Sequence, residues 1–255
     1  MLFDEPIMNK QEQSCSSLHD ARCVSATTVR LERTISATLS LMKWRILHSL
    51  TDEQQRDVLR AAERRRYRDG DTLFHQGDPG DTVHLLDRGH VAFRIVNLHG
   101  VTLTLDLVGP GSTFGEQTLV ERNARRSASV VALGAVETLT VRRDTFAELL
   151  ERHPAAMTVL VEMLAAQVRR LSEMLLDSHS MGAEERVVKQ LRRLAFVFHD
   201  GNTATLPITQ EELASMAGTT RPTANRALQT LVSDGTVQLG RSRIVIADVT
   251  RLGPA

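Results

Sequence analysis

The sequence predicts an α+β fold in three blocks: an N-terminal β-roll of jelly-roll type, one long helix, and a C-terminal winged helix-turn-helix. Three observations predict it. Between Tyr67 and Val141, glycine turns recur about every ten residues with short β-forming runs between them. After Pro154, apolar residues recur at alternating spacings of four and three. Near the C-terminus, a capping-box opening, a turn glycine and an arginine-bearing helix follow one another. The chain of 255 residues accommodates two domains of ordinary size. The expected divisions are a polar leader over 1–43, the roll over 44–153, the long helix over 154–181 and the winged helix-turn-helix over 182–255.

Composition narrows the function classes. The 31 basic and 31 acidic side chains cancel, which argues against a protein that binds a polyanion over its whole surface but leaves room for one local basic face. Cys15 and Cys23 both fall in the leader and cannot by themselves complete a four-cysteine zinc or iron–sulfur site. A reduced cytoplasmic protein is expected. No run of eighteen apolar residues and no secretory signal is found, so neither a membrane partner nor export is expected. None of the nine histidines falls at a metal-ligand spacing, and no metal is expected. No motif pairs a nucleophile with a base, so an enzyme built on the roll has no support and no catalytic residue is named.

Taken in order, residues 1 to about 40 are polar and without period, and a helix over Val29 to Trp44 is compatible with the sequence. From Trp44 through Arg66, Ile46, Leu47, Leu50, Val58, Leu59 and Ala62 fall at helical spacing, with Ser49 and Thr51 as candidate caps. Arg64-Arg65-Arg66 and Arg142-Arg143 read as solvated faces. Strand-forming runs follow at Val83 to Leu86, Val91 to Val96 and Thr102 to Leu105.

The stretch Phe114 to Ser127 then combines Gly115 and Glu116 with Arg126 and Ser127. Arg126 offers a fork of donors to phosphate oxygens, and Ser127 adds a hydroxyl. Glycine lets the backbone approach an anion at the start of a short helix, while Glu116 suits the hydroxyl of a sugar. Glu116 and Arg126 as a structural ion pair beside a turn is the alternative reading. In the long helix, Met157, Val161, Leu164, Val168, Leu171 and Leu175 form a heptad seam that predicts a partner helix.

Gly182 marks a hinge, and Ala183 to Phe198 reads as an amphipathic helix. Thr209 and Gln210 open the first helix of the helix-turn-helix, Gly218 makes its turn and Thr220 caps the second helix. That helix presents Arg221, Thr223, Asn225 and Arg226 at its leading end, the end that meets base edges in a major groove. Arg241 and Arg243 flank the tip of a β-hairpin wing. From Gly218 to Arg243 four arginines face one acid, Asp234, the local sign that phosphates require.

The Gly115-Glu116 and Arg126-Ser127 pairs, at their separation, resemble the phosphate-binding cassette of the Crp/Fnr family of transcription factors. The turn signatures Gly70 to Phe74, Gln76-Gly77-Asp78 and Gly89 are similar as well. The resemblance implies a homodimeric regulator that binds a pseudo-palindromic double-stranded DNA operator, with RNA polymerase as a further partner. It implies a cyclic nucleotide effector, cyclic AMP first and cyclic GMP or none as alternatives, with no covalent cofactor. It also implies that the long helix dimerises in parallel and completes the pocket through an arginine, matched by Arg170, and hydroxyls, whose positions fall here on Met174 and Leu175. Apolar residues there remove polar partners from a purine amino group. The family's recognition helix carries Arg-Glu where this chain has Arg221-Pro222, so base selection between the pairs read by Arg221 and Arg226 is expected to be relaxed. An effector-independent DNA-binding regulator with a vestigial, structural roll is the alternative.

Overall fold

The computed structural model describes residues 44–120 and 123–253. The expected leader and the helix over Val29 to Trp44 lie outside them, apart from Trp44 itself. A single 3₁₀ turn (Arg45–Leu47) leads into helix α1 (Asp52–Ala61), closed at its start by a reciprocal capping box between Thr51 and Gln54. The helical spacing suggests continuation to Arg66, but residues 63–67 are strand β1 (Glu63–Tyr67). The arginines there alternate across an antiparallel pairing that sets Arg64 opposite Leu139 and Arg66 opposite Glu137. All three are exposed, as expected, and Arg64 and Arg66 are also paired. Arg64 reaches Asp87 at 2.6 Å and Glu137 at 2.8 Å, and Arg66 reaches the other oxygen of Glu137 at 2.9 Å. The two arginines hold the Glu137 carboxyl below its usual range, against the opposing effect of leaving water.

The roll is built on β2 (Thr72–Phe74), β3 (Thr82–Val96), β4 (Thr102–Val108), β5 (Thr113–Phe114) and β6 (Ser129–Arg142), with a four-residue helix α2 (Gln117–Val120) after β5. The strands are antiparallel in the order β1-β6-β3-β4, with β2 added on β6 and β5 on β3. The long β3–β6 ladder runs from Thr82 opposite Arg142 to Arg94 opposite Ser129, and its register shifts around Arg88. Inside, Leu86, Val91, Phe114, Val130, Ala132 and Val136 form one buried cluster.

Helix α3 (Arg143–Arg152) leads to α4 (Pro154–Ser180), the long helix, which starts at the proline as its sequence requires. Ala156 and Leu160 bury against Trp44, Leu47, Phe146 and Leu150. Beyond them the seam turns outward. Val161, Val168, Leu171 and Leu175 are each 58–65% exposed and Met157 is 41% exposed, while Leu164 packs in part on the roll.

The last block holds α5 (Ala183–Phe198), β7 (His199–Asp200), β8 (Thr203–Leu206), α6 (Gln210–Met216), α7 (Arg221–Ser233), β9 (Val237–Gly240) and β10 (Arg243–Ile246). The expected hairpin wing is two strands of a four-stranded sheet ordered β7-β8-β10-β9. Its core, including Leu191, Leu194, Leu206, Ile208, Leu213, Leu228 and Ile246, is continuous with Ala92 and Leu107 of the roll. Among the described residues no helix is long and apolar enough to cross a membrane.

Candidate nucleotide pocket and nucleic-acid interface

Of the residues expected to form a phosphate cassette, Gly115 and Arg126 are brought directly together. Backbone pairing fixes Arg126 from outside: its N–H donates to Asp78 O and its carbonyl accepts from Gly77 N, each at 2.9 Å. Gly115 lies alongside with φ +84°, and a Cβ there would approach Arg126 Nη1 to 2.5 Å and Thr82 O to 2.9 Å. Only glycine suits both the left-handed conformation and the close approach. The Arg126 side chain runs inward, 4% exposed. Nη2 donates to Thr82 O at 2.7 Å and to Thr82 Oγ1 at 2.8 Å, and the guanidinium carbon lies 4.1 Å above the Phe74 ring. Among the described residues its Nε has no hydrogen-bond partner. Burial lowers the Arg126 pKa, against the smaller raising effects of Asp81, Asp78 and Glu116.

Glu116, 3% exposed, does not pair directly with Arg126 as the simple ion-pair reading requires. Its Oε1 accepts from Gln167 Nε2 of α4 at 2.8 Å. Ser127 is exposed at the rim, where its hydroxyl donates to Gln117 Oε1 at 3.1 Å.

Behind the arginine sits His84, 2% exposed and stacked on Phe114 at 5.1 Å. Its Nε2 lies 3.4 Å from Thr82 Oγ1, and its Nδ1 lies 3.4 Å from Thr140 Oγ1. Burial first, and then the charges of Arg126 and Arg65, push its pKa down to about 3, so the imidazole is neutral. Neither Gln167 nor His84 belongs to any motif that the sequence offers.

Arg170, expected in the pocket, instead pairs with Asp106 of β4. The second oxygen of Asp106 meets Arg193 of α5 at 2.6 Å, so one carboxylate joins the roll, the long helix and the C-terminal block. Met174 is 39% exposed and Leu175 is 62% exposed, on the outward side of α4.

In the C-terminal block, Thr209 caps α6 in a reciprocal box with Glu212, as its sequence predicts. Thr220 stands at the N-cap of α7 but makes no side-chain bond to the helix backbone. Its hydroxyl meets that of Thr223 at 3.1 Å, which leaves the first-turn amides without a side-chain cap. Arg221, Arg226, Arg241 and Arg243 are exposed, and Thr223 and Asn225 are half-buried on the same leading end. Asn225 Nδ2 donates to Gln210 Oε1 at 3.2 Å and so ties the two helices together. Arg226 reaches Glu184 at 3.5 Å, an exposed pair of small energetic weight. Arg241 and Arg243 flank Ser242, whose φ of +56° turns the wing tip.

The block meets the roll through further contacts. Arg94 of β3 donates to Glu212 Oε1 at 2.7 Å, Ser215 Oγ donates to Thr104 O at 3.4 Å, and His90 stacks on Phe198 at 4.1 Å.

Comparison with known proteins gives the arrangement its lineage. Residues 64–153 match the cyclic nucleotide-binding domain family, and residues 185–254 match the Crp-like helix-turn-helix domain family. The chain is 33% identical over 207 residues to a protein named cyclic AMP receptor protein from Thermus thermophilus, covering 81% of this chain and 94% of that one. The chain belongs to the Crp/Fnr family. A second relative of the family, the CRP-like cAMP-activated global transcriptional regulator of Mycobacterium tuberculosis, is 30% identical over 187 residues, 72% of this chain and 83% of its own. Among solved structures, a CRP/FNR-family transcriptional regulator from Thermus thermophilus superposes with a TM-score of 0.58 at 26% identity, covering 74% of this chain and 96% of that one. FixK2 from Bradyrhizobium japonicum superposes with a TM-score of 0.65 at 21% identity, covering 75% and 95% of the two chains, and shares the fold. The protein is thus a Crp-family DNA-binding transcription regulator that carries a cyclic-nucleotide-binding domain.

Proposed function

We propose that the protein is a homodimeric transcription regulator whose roll binds cyclic AMP and whose DNA affinity depends on that binding. The observation that carries this reading is the buried Arg126 guanidinium, whose Nε lacks a hydrogen-bond partner among the described residues. A buried, unsatisfied charged donor is costly unless an acceptor completes it, and an equatorial phosphate oxygen is an acceptor of the right charge. Glu116 then accepts from the ribose, Ser127 closes on the phosphate from the rim, and Phe114 and Phe93 supply apolar surface behind the cassette. The name of the Thermus thermophilus relative supports cyclic AMP among cyclic nucleotides.

The exposed apolar seam of α4 is the surface a second copy would cover, since soluble proteins rarely leave a continuous stripe of this kind open. Two-fold symmetry spaces two recognition helices by about one DNA turn, roughly 34 Å, and calls for a pseudo-palindromic operator. Cyclic AMP acts by population shift: it favours whichever arrangement of α4 and the C-terminal block suits its site, and that arrangement binds DNA.

Calorimetric titration with cyclic AMP and cyclic GMP tests the reading. Saturable binding of cyclic AMP that disappears in Arg126→Ala is the expected result. No heat with either nucleotide, together with unchanged DNA binding, contradicts it and favours an effector-independent regulator with a structural roll.

A further inference from the structure

In this chain the ribose carboxylate is reached from the long helix by a neutral amide. Gln167 Nε2 donates to Glu116 Oε1 at 2.8 Å across 51 residues of sequence. Arg170, one helical turn further along α4, is drawn off to Asp106, which Arg193 also holds. The difference matters chemically. A guanidinium beside Glu116 would offset its charge and take up both of its oxygens. An amide fixes the rotamer of the carboxylate through one oxygen and leaves the other without a hydrogen-bond partner among the described residues.

We propose that Gln167 is the positioning residue that sets ribose selectivity. It aims the charged Glu116 carboxylate at the ribose 2′-hydroxyl and thereby rejects nucleotides without that hydroxyl. The proposal rests on the cyclic-nucleotide reading of the cassette. A hydroxyl hydrogen bond to a charged, buried acceptor is among the stronger ones, and a site built to make it penalises a ligand that cannot. Gln167 lies on a helix, so alanine there preserves the local backbone.

The experiment is titration of the full-length protein with cyclic AMP and with 2′-deoxy cyclic AMP, in wild type, Gln167→Ala, Glu116→Gln and the double variant. Circular dichroism and a urea midpoint establish folding in each. Wild type is expected to prefer the ribonucleotide by about tenfold or more. Gln167→Ala is expected to collapse that ratio by weakening cyclic AMP alone, and to change nothing further when added to Glu116→Gln. A ratio unchanged by Gln167→Ala, or equal weakening of both nucleotides, overturns the proposal while leaving the cyclic-nucleotide reading intact. Wild type binding neither nucleotide overturns both.

Discussion

Arg126 and His84 share one problem, a polar group held in an apolar setting. The arginine remains ionised in spite of burial because guanidinium is so strong a base, and Thr82 and the Phe74 ring supply partners. The histidine solves it by giving up its charge. With a folded pKa of about 3 against 6.5 when unfolded, the unfolded chain binds a proton over that window that the folded chain does not. Stability is therefore whole above about pH 6.5 and falls as the pH drops toward 3, at up to about 1.4 kcal/mol per pH unit. Urea midpoints at pH 7 and pH 5.5 check this: the wild-type midpoint should fall between them, and His84→Gln should reduce the fall. An equal fall in both proteins contradicts the assignment. The approach of Gly115 to Arg126 was legible in the sequence because both fall in the one stretch of thirteen positions that carries the expected cassette, Gly115, Glu116, Arg126 and Ser127. Gln167 and His84 were not, because each reaches the cassette across the fold and neither stands in a motif.

Among the elements, those with chemical punctuation were the legible ones. Helix α5 spans the expected residues, α6 begins at its capping box and α7 begins at the expected arginine. Strand β1 was hidden because three consecutive arginines mask any alternation, and β7 and β8 because two and four residues carry almost no period. Helix α7 sets a prediction for DNA. Arg226→Ala should cost about 1–3 kcal/mol at one base pair and relax selection there, whereas Arg241→Ala at the wing should weaken all sequences alike and lower the salt slope by about 1. Selection from a randomised operator and salt titrations read the two effects, and equal relaxation by both variants would contradict the division of roles. Helix α4 sets another. Leu171→Asp places a charge in the exposed seam and should dissociate a dimer to monomers in analytical ultracentrifugation, with the urea midpoint little changed because this position is 65% exposed in the protomer. A dimer unaffected by the substitution would place the interface elsewhere.

At the scale of the whole molecule, the roll and the DNA-binding block share a core and several polar ties. Ala92 and Leu107 are fully buried among residues of the block, Asp106 binds cations from α4 and α5, and Arg94 binds the carboxylate that caps α6. None of these ties was legible, since each joins segments separated by about 60 to 120 positions and depends on how finished domains dock. Glu212 has two roles: one oxygen caps the helix whose N-terminus faces a DNA backbone in a helix-turn-helix, and the other holds the roll. Arg94→Ala should therefore leave the cap intact and change the cyclic AMP dependence of DNA affinity by about two- to fivefold, a modest coupling suited to a partly exposed pair. An unchanged dependence would show that this tie carries no coupling.

The most direct test of the central claim is the fluorescence anisotropy of a labelled pseudo-palindromic duplex selected by the protein, titrated with and without saturating cyclic AMP. Wild type should bind about tenfold or more tightly with the nucleotide, and Arg126→Ala should bind equally with and without it. Wild-type affinity indifferent to cyclic AMP, or a full response in Arg126→Ala, would contradict the account.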